Sequence, residues 1–308
     1  MSGDYFYVSY TYDSNPGSAR LRRCLTSTGA VDYSYGDNNW VEVYNDTEAN
    51  IFDLELTSNQ EANNNRLYLF SILSDGRLLF DFADQDGGDG SLAWNRLSTD
   101  VTDAGSYLDV AYNDRENPSA VGGWVFAVYR TTDNKIDVFR FINPFPGSGV
   151  TEIAPWFSGS PRISAYRSRI VVVYLSDNSP SRGVNYAFSE DTGDTWSYNI
   201  LDYGDQGDVF EPVVSLKRGG GIATAYQRAS AGSDFVCMRH GNYDNALVST
   251  PEAATDIGLD LGSRMSLQAL PEGGLGLVSI HSGGIPYYDR TPLIFSNGFE
   301  LGDILDWD

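Results

Sequence analysis

Apolar residues recur along this chain in short runs, each followed by a polar turn and a second, alternating run. Tyr5 to Tyr12 leads into Arg20 to Leu25, and Leu67 to Leu73 leads through Asp75-Gly76 into Arg77 to Phe82. Trp124 to Tyr129 leads through Asp133-Asn134 into Lys135 to Phe141, and Ile170 to Tyr174 leads into Gly183 to Phe188. Ile222 to Tyr226 leads into Phe235 to Arg239, and Leu275 to Ile280 into Ile285 to Asp289. Runs this short, rich in Val, Ile, Phe and Tyr and bounded by Asp, Asn and Gly, predict strands joined as hairpins. No long stretch has the periodicity of a helix.

Neighbouring copies lie roughly 45 to 60 residues apart, a period typical of stacked or radially arranged β-sheets. Several copies have a preceding segment that predicts an inner strand: Ile51 to Leu56, Ser106 to Tyr112, Arg162 to Tyr166, Pro212 to Leu216 and Met265 to Leu270. Several have a following outer strand: Trp40 to Tyr44, Trp94 to Leu97, Thr151 to Phe157 and Trp196 to Leu201. One such sheet cannot bury both of its faces, whereas a ring of them buries all faces and leaves only short edges. The expectation is an all-β chain, a single β-propeller of six four-stranded blades over residues 1–292, with a short tail over 293–308. Five blades plus an incomplete unit, or seven, fit the repeat as well. The first copy lacks an inner strand, and Thr291 to Ser296 could supply it or could serve as the outer strand of the last blade.

The 308 residues suffice for one large core. A formal charge of −22 repels nucleic acid and anionic membrane, so neither is an expected partner. No signal peptide is read at the N-terminus, and no apolar run is long enough to span a bilayer. Cys24 and Cys237 read as buried free thiols, with a disulfide between first and last blades as the alternative. His240 and His281 are too few and too far apart for a histidine metal site.

Ser189, Asp191, Gly193, Thr195 and Trp196 spell S-x-D-x-G-x-T-W. The carboxylate of Asp191 can accept bonds from its own turn, and Gly193 can take a positive φ. The stretch resembles the Asp-box (BNR repeat) of sialidase-like β-propellers. In that family the box is a structural hairpin between the third and fourth strands of a blade. The resemblance implies a propeller with Trp196 packed between blades, and says little about activity.

A second stretch is similar to a run in sialidases: Glu211-Pro212, an apolar strand to Leu216, glycines 219–221, and Ile222 to Arg228. The resemblance implies that Glu211 raises the basicity of a nucleophilic Tyr, here Tyr287 or Tyr288, and that Arg228 binds a substrate carboxylate. Arg264 would be a second carboxylate ligand. A planar guanidinium fork suits that task, and a Tyr nucleophile needs an adjacent base. The chain departs from the family in its early part: no Arg stands on a first inner strand, and Phe139-Arg140-Phe-Ile-Asn-Pro144 echoes that motif on a third strand instead. No early Asp answers to the catalytic acid, and there is one good Asp-box. The non-catalytic reading of Glu211-Pro212 is simply the start of a blade.

Asp84, Asp86 and Asp89 alternate with Gln and Gly, a pattern that suits Ca²⁺. The same stretch lies before Trp94, where a lengthened Asp-box belongs, and no cofactor is expected if that is its role. Asp202, Asp205 and Asp208 read as a solvated acidic loop. Trp40, Trp156, Phe157 and Tyr203 could stack on sugar rings or pack between blades. The tail resembles a C-terminal signature of secreted proteins of Gram-negative bacteria, through Phe295, Asn297, Gly298, Phe299, Glu300, Gly302, Asp303 and Trp307. It implies a secreted or cell-surface bacterial protein. The function expected is a non-catalytic module that binds a glycan or a protein partner. The alternative is a sialidase-like glycosidase.

Overall fold

A computed structural model describes residues 5–12, 15–25, 27–28, 30–32, 40–46, 48–58, 66–84, 94–113, 123–142, 149–155, 158–176, 182–204, 207–216, 221–230, 233–242, 252–255, 261–269, 275–281 and 285–291. Among these residues every regular element is a strand, and no helix is long and apolar enough to cross a membrane.

The strands are β1 (Tyr5–Tyr12), β2 (Asn15–Leu25), β3 (Val41–Asn45), β4 (Ile51–Ser58), β5 (Arg66–Leu73), β6 (Leu78–Asp84) and β7 (Asn95–Ser98). Next come β8 (Ala104–Asn113), β9 (Trp124–Thr131), β10 (Ile136–Ile142), β11 (Gly149–Ala154), β12 (Ser158–Tyr166), β13 (Arg169–Ser176), β14 (Gly183–Ser189) and β15 (Ser197–Asp202). The last are β16 (Val209–Leu216), β17 (Gly221–Ser230), β18 (Ser233–Asn242), β19 (Glu252–Thr255), β20 (Ser266–Ala269), β21 (Leu275–His281) and β22 (Ile285–Thr291). They form six sheets of consecutive neighbours: β1–β3, β4–β7, β8–β11, β12–β15, β16–β19 and β20–β22. The expected inner strands are β4, β8, β12, β16 and β20, and the expected outer strands are β3, β7, β11 and β15. The first sheet has no strand before β1 among the described residues. Residues 293–308, the expected tail, lie outside them.

The chain divides into two compact units, residues 1–172 with 187–197, and 173–186 with 198–308. In the first, β5 and β6 present Tyr68, Phe70, Ile72, Leu78 and Phe80 to Val125, Ala127, Tyr129, Phe139 and Phe141 of the next sheet. Phe70 and Phe80 stack with centroids 4.4 Å apart, and Phe141 meets Phe80 edge-on at 4.9 Å. A second cluster joins Ala19 to Ile51, Leu69, Leu73 and Leu79. Alternation explains the pattern: each central strand is covered on both faces, so its apolar run is continuous. Inner strands are also tied by carboxylates. Asp53 Oδ2 accepts from the Leu108 amide at 2.9 Å, and Asp109 Oδ2 accepts from the Ile163 amide at 2.8 Å.

The second unit has its own core of Val213, Ala223, Ala225, Val236, Met238, Met265, Leu267, Leu275 and Leu277. Cys24 and Cys237 are both buried and free, as the reading of inert thiols expects. Burial pushes the Cys237 thiol up to about 11.

One buried acid stands out in the first unit. Asp137 faces Tyr129 on one side and Glu152 on the other, a row across β9, β10 and β11. Burial, then the charges of Asp103 and Glu152, push its carboxyl up to about 6. An acid whose folded pKa is raised opposes folding while ionised, so stability falls as pH rises from about 4 through about 6. Asp137→Asn is expected to raise stability at pH 7 by about 1–2 kcal/mol and to flatten that fall. Urea denaturation of both proteins at pH 5 and pH 7 checks it. Equal stabilities of the two at pH 7 would contradict the burial of an ionised acid.

Candidate functional site

Three inner strands share a kink at one position. Tyr107, Ser160 and Glu211 have φ of 57°, 46° and 41°, in the left-handed region that costs a side-chain-bearing residue energy. The register shifts there: Ser106 faces Arg130 but Asp109 faces Val128, and Phe210 faces Gln227 but Val213 faces Ala225. Each shift is a β-bulge, a device that re-aims side chains and often sits beside functional sites. Glu211-Pro212, Ser160-Pro161 and Tyr107-Leu108 therefore occupy one repeated structural position, as expected for the start of a blade.

Glu211 is buried. Arg228 is also buried, 5 % exposed, and its Nη2 pairs closely with Asp202 Oδ2. Tyr226 Oη donates to the same oxygen at 2.6 Å, and the Gly204 amide donates to Asp202 Oδ1 at 2.9 Å. Burial and the bond to Asp202 push the Tyr226 phenol well above its ordinary range. Asp202, read from sequence as a solvated acid, is thus the buried partner that commits Arg228 inside the sheet. So engaged, Arg228 braces β15 against β17, with its Nη2 already committed to a carboxylate of the chain. Arg264 is exposed, just before β20. Tyr287 lies on β22, but its side chain is outside the described residues, as is that of Tyr288.

The turn 189–196 is built as its residue types suggest. Ser189 Oγ accepts from the Gly193 amide at 2.8 Å and donates to Asp191 Oδ1 at 2.8 Å. Asp191 accepts from the Thr195 amide at 2.8 Å and from Thr195 Oγ1 at 2.6 Å. Trp196 Nε1 donates to the Gly193 carbonyl at 3.1 Å. Gly193 has φ 89°, and a Cβ there would meet nothing closer than 3.6 Å, so conformation rather than space demands glycine. Arg140 docks on the turn through the Thr192 carbonyl and Asp194. This is where the Arg of the Phe139-to-Pro144 echo is used. Trp196 is half-buried and its Nε1 closes on its own turn, so the ring is less buried than the expectation of a plug between blades implies.

The Thr195 hydroxyl, with further bonds from the Thr195 amide and Ser189, holds the Asp191 carboxyl down at about 2. A depressed carboxyl supports folding above its unfolded pKa, and that support is lost as pH falls through about 4 towards 2. Asp191→Ala is expected to cost about 1–3 kcal/mol at pH 7, because two donors and Ser189 lose their acceptor. Thermal unfolding at pH 7 and pH 3 reads it: the gap between the two proteins should narrow in acid. A gap that widens would contradict the account.

Of the calcium candidates, Asp86 and Asp89 and the side chain of Asp84 lie outside the described residues, and no group of three metal-ligating side chains occurs among those described. Trp156 and Phe157 also lie outside them. The guanidinium of Arg20 covers Trp40, 3.8 Å from the ring centroid, whereas Tyr203 is 70 % exposed.

One cluster escaped the sequence reading. Arg130, near the end of β9, is half-buried with its Nε inside and without a hydrogen-bond partner. Opposite it stands Ser106, whose buried Oγ also lacks one. The guanidinium lies over the ring of Tyr107, 4.9 Å from its centroid. Across from it is Gly159 of β12, where a Cβ would meet only Arg130 Nη1, at 3.9 Å. Only an Arg at the end of an apolar strand marks this cluster in the sequence.

No protein-family model and no curated protein sequence matches the chain. Solved structures do. The BP39L lectin of Burkholderia pseudomallei is similar with a TM-score of 0.59 at 12% identity, covering 94% of this chain and 82% of that one. A lectin of Aleuria aurantia, described as a six-bladed β-propeller with a novel mode of fucose recognition, is similar with a TM-score of 0.52 at 10% identity, over 93% and 91%. The NanB sialidase of Streptococcus pneumoniae, as a K499G mutant, is similar with a TM-score of 0.51 at 8% identity, over 94% and 69%. Likeness at such identities shows the fold: an all-β propeller, with the six sheets as its blades.

Proposed function

We propose that this chain is a carbohydrate-binding β-propeller, secreted or displayed at a bacterial cell surface, with no hydrolytic activity of its own. The observation that carries the reading is the likeness, over 93–94% of the chain, to propellers described as lectins. The buried Arg228–Asp202 pair supports its non-catalytic half, because it occupies the guanidinium that a sialidase mechanism needs. The bonding of the turn 189–196, together with its residue types, supports reading it as an Asp-box. The tail signature supports secretion. The second reading, a sialidase-like glycosidase using Glu211 and Tyr287, is favoured by the likeness to NanB.

An array of immobilised glycans probed with the labelled protein tests the proposal. Binding to a restricted set of glycans, competed by the free sugar, is the expected result. Absence of binding to every glycan at micromolar protein would overturn it.

A further inference from the structure

We propose that Arg130 and Ser106, held in place by Tyr107, form a subsite for a neutral sugar; this rests on the carbohydrate-binding reading. The equivalent position in the second unit shows what is unusual. Gln227 stands at the same register before its bulge as Arg130 does before its own. Gln227 is bonded at both ends of its amide: its Nε2 donates to the Ser263 carbonyl at 3.0 Å and its Oε1 accepts from the Gly262 amide at 2.8 Å. There the side chain ties β17 to the entry of the next inner strand. Arg130 reaches towards the entry of β12 in the same way, but it finds a glycine and makes no such bond.

A buried donor without an acceptor is unfavourable; Arg130 Nε is one of several such atoms among the described residues, and what sets it apart is the Ser106 hydroxyl opposite it in the same condition. Here a buried N–H and a buried hydroxyl share one face of a sheet, across one register pair. Arg130 is in no ion pair among the described residues. The Tyr107 ring backs the guanidinium and fixes its plane, and the left-handed φ of Tyr107 is what turns that ring to the site. Tyr107 is therefore a positioning residue.

The ligand chemistry follows from the groups. A guanidinium supplies several donors in a fixed fork, from which neighbouring hydroxyl or ring oxygens can accept as a carboxylate would. Ser106 Oγ can donate to or accept from a hydroxyl. A chain of charge −22 disfavours the approach of an anionic sugar, so the expected occupant is uncharged. Gly159 leaves the space that a side chain would fill.

Isothermal titration of the whole chain with methyl glycosides of L-fucose, D-galactose, D-mannose and D-glucuronic acid tests the assignment. At least one neutral glycoside should bind, and Arg130→Lys should weaken that binding about 10- to 100-fold, the loss typical of a charged hydrogen bond. Gly159→Glu should abolish it by pairing a carboxylate with Arg130. A Cβ fits at Gly159, so that variant should keep the wild-type melting temperature and decides the matter if Arg130→Lys fails to fold. Two folded variants that bind like wild type would overturn the subsite while leaving the carbohydrate-binding reading intact. Tighter binding of the glucuronide than of every neutral sugar would overturn the neutral assignment. Failure of the wild type to bind any of the four glycosides would overturn the subsite, whereas the carbohydrate-binding reading falls only if the glycan array is blank as well.

Discussion

Arg228→Met is expected to lower the stability of the folded chain by about 3–5 kcal/mol, the cost of leaving a buried charge without its partner. Asp202 and Arg228 have side chains 3 % and 6 % exposed, so neither can turn to water when the other is removed. Tyr226 and the Gly204 amide would remain on the carboxylate, but two neutral donors do not replace a guanidinium. Asp202→Asn should cost less than Asp202→Ala, because an amide keeps an acceptor for the Tyr226 hydroxyl. The double replacement of both charges by apolar residues of similar volume should recover much of the loss. Denaturant titration of the single and double variants measures this. A loss below about 1 kcal/mol for Arg228→Met would mean that the pair is solvated and that Arg228 is available to a ligand after all.

Phe80→Ala should be as severe, about 3–5 kcal/mol. Its ring has no exposure, stacks on Phe70 and meets Phe141, so truncation removes apolar burial and opens a cavity between two sheets. Phe82, one pleat further along β6, is only partly buried, and Phe82→Ala should cost clearly less. Thermal melts of the two variants give the comparison. Equal losses would contradict the packing described for β5, β6, β9 and β10.

What could be read from the sequence was what is local. The hairpins β5–β6 and β9–β10 follow from continuous apolar runs around Asp75-Gly76 and Asp133-Asn134, since central strands are covered on both faces. The turn 189–196 is legible because the bonds of its own side chains to one another and to its own backbone span four residues or fewer. The pairing of Asp202 with Arg228 spans 26 residues, and nothing near Asp202 distinguishes a buried acid from a solvated one. In the sequence Glu211-Pro212 carries two readings, a sialidase-like signature and the start of a blade. Beside Ser160-Pro161 it is one of a series, set by the bulge that begins an inner strand. Arg130 was illegible for another reason: its interest lies in bonds it does not make, which only the position of Gly159 and the contrast with Gln227 bring out.

The most direct test of a carbohydrate-binding, non-hydrolytic propeller is a paired measurement on one preparation, with glycoside titration in the calorimeter and turnover of a fluorogenic sialoside on the same sample. The account predicts saturable heat with a neutral glycoside and sialoside turnover no faster than the buffer blank. Turnover well above the blank, lost in Glu211→Gln, with no glycoside heat, would contradict it and establish the hydrolase in its place.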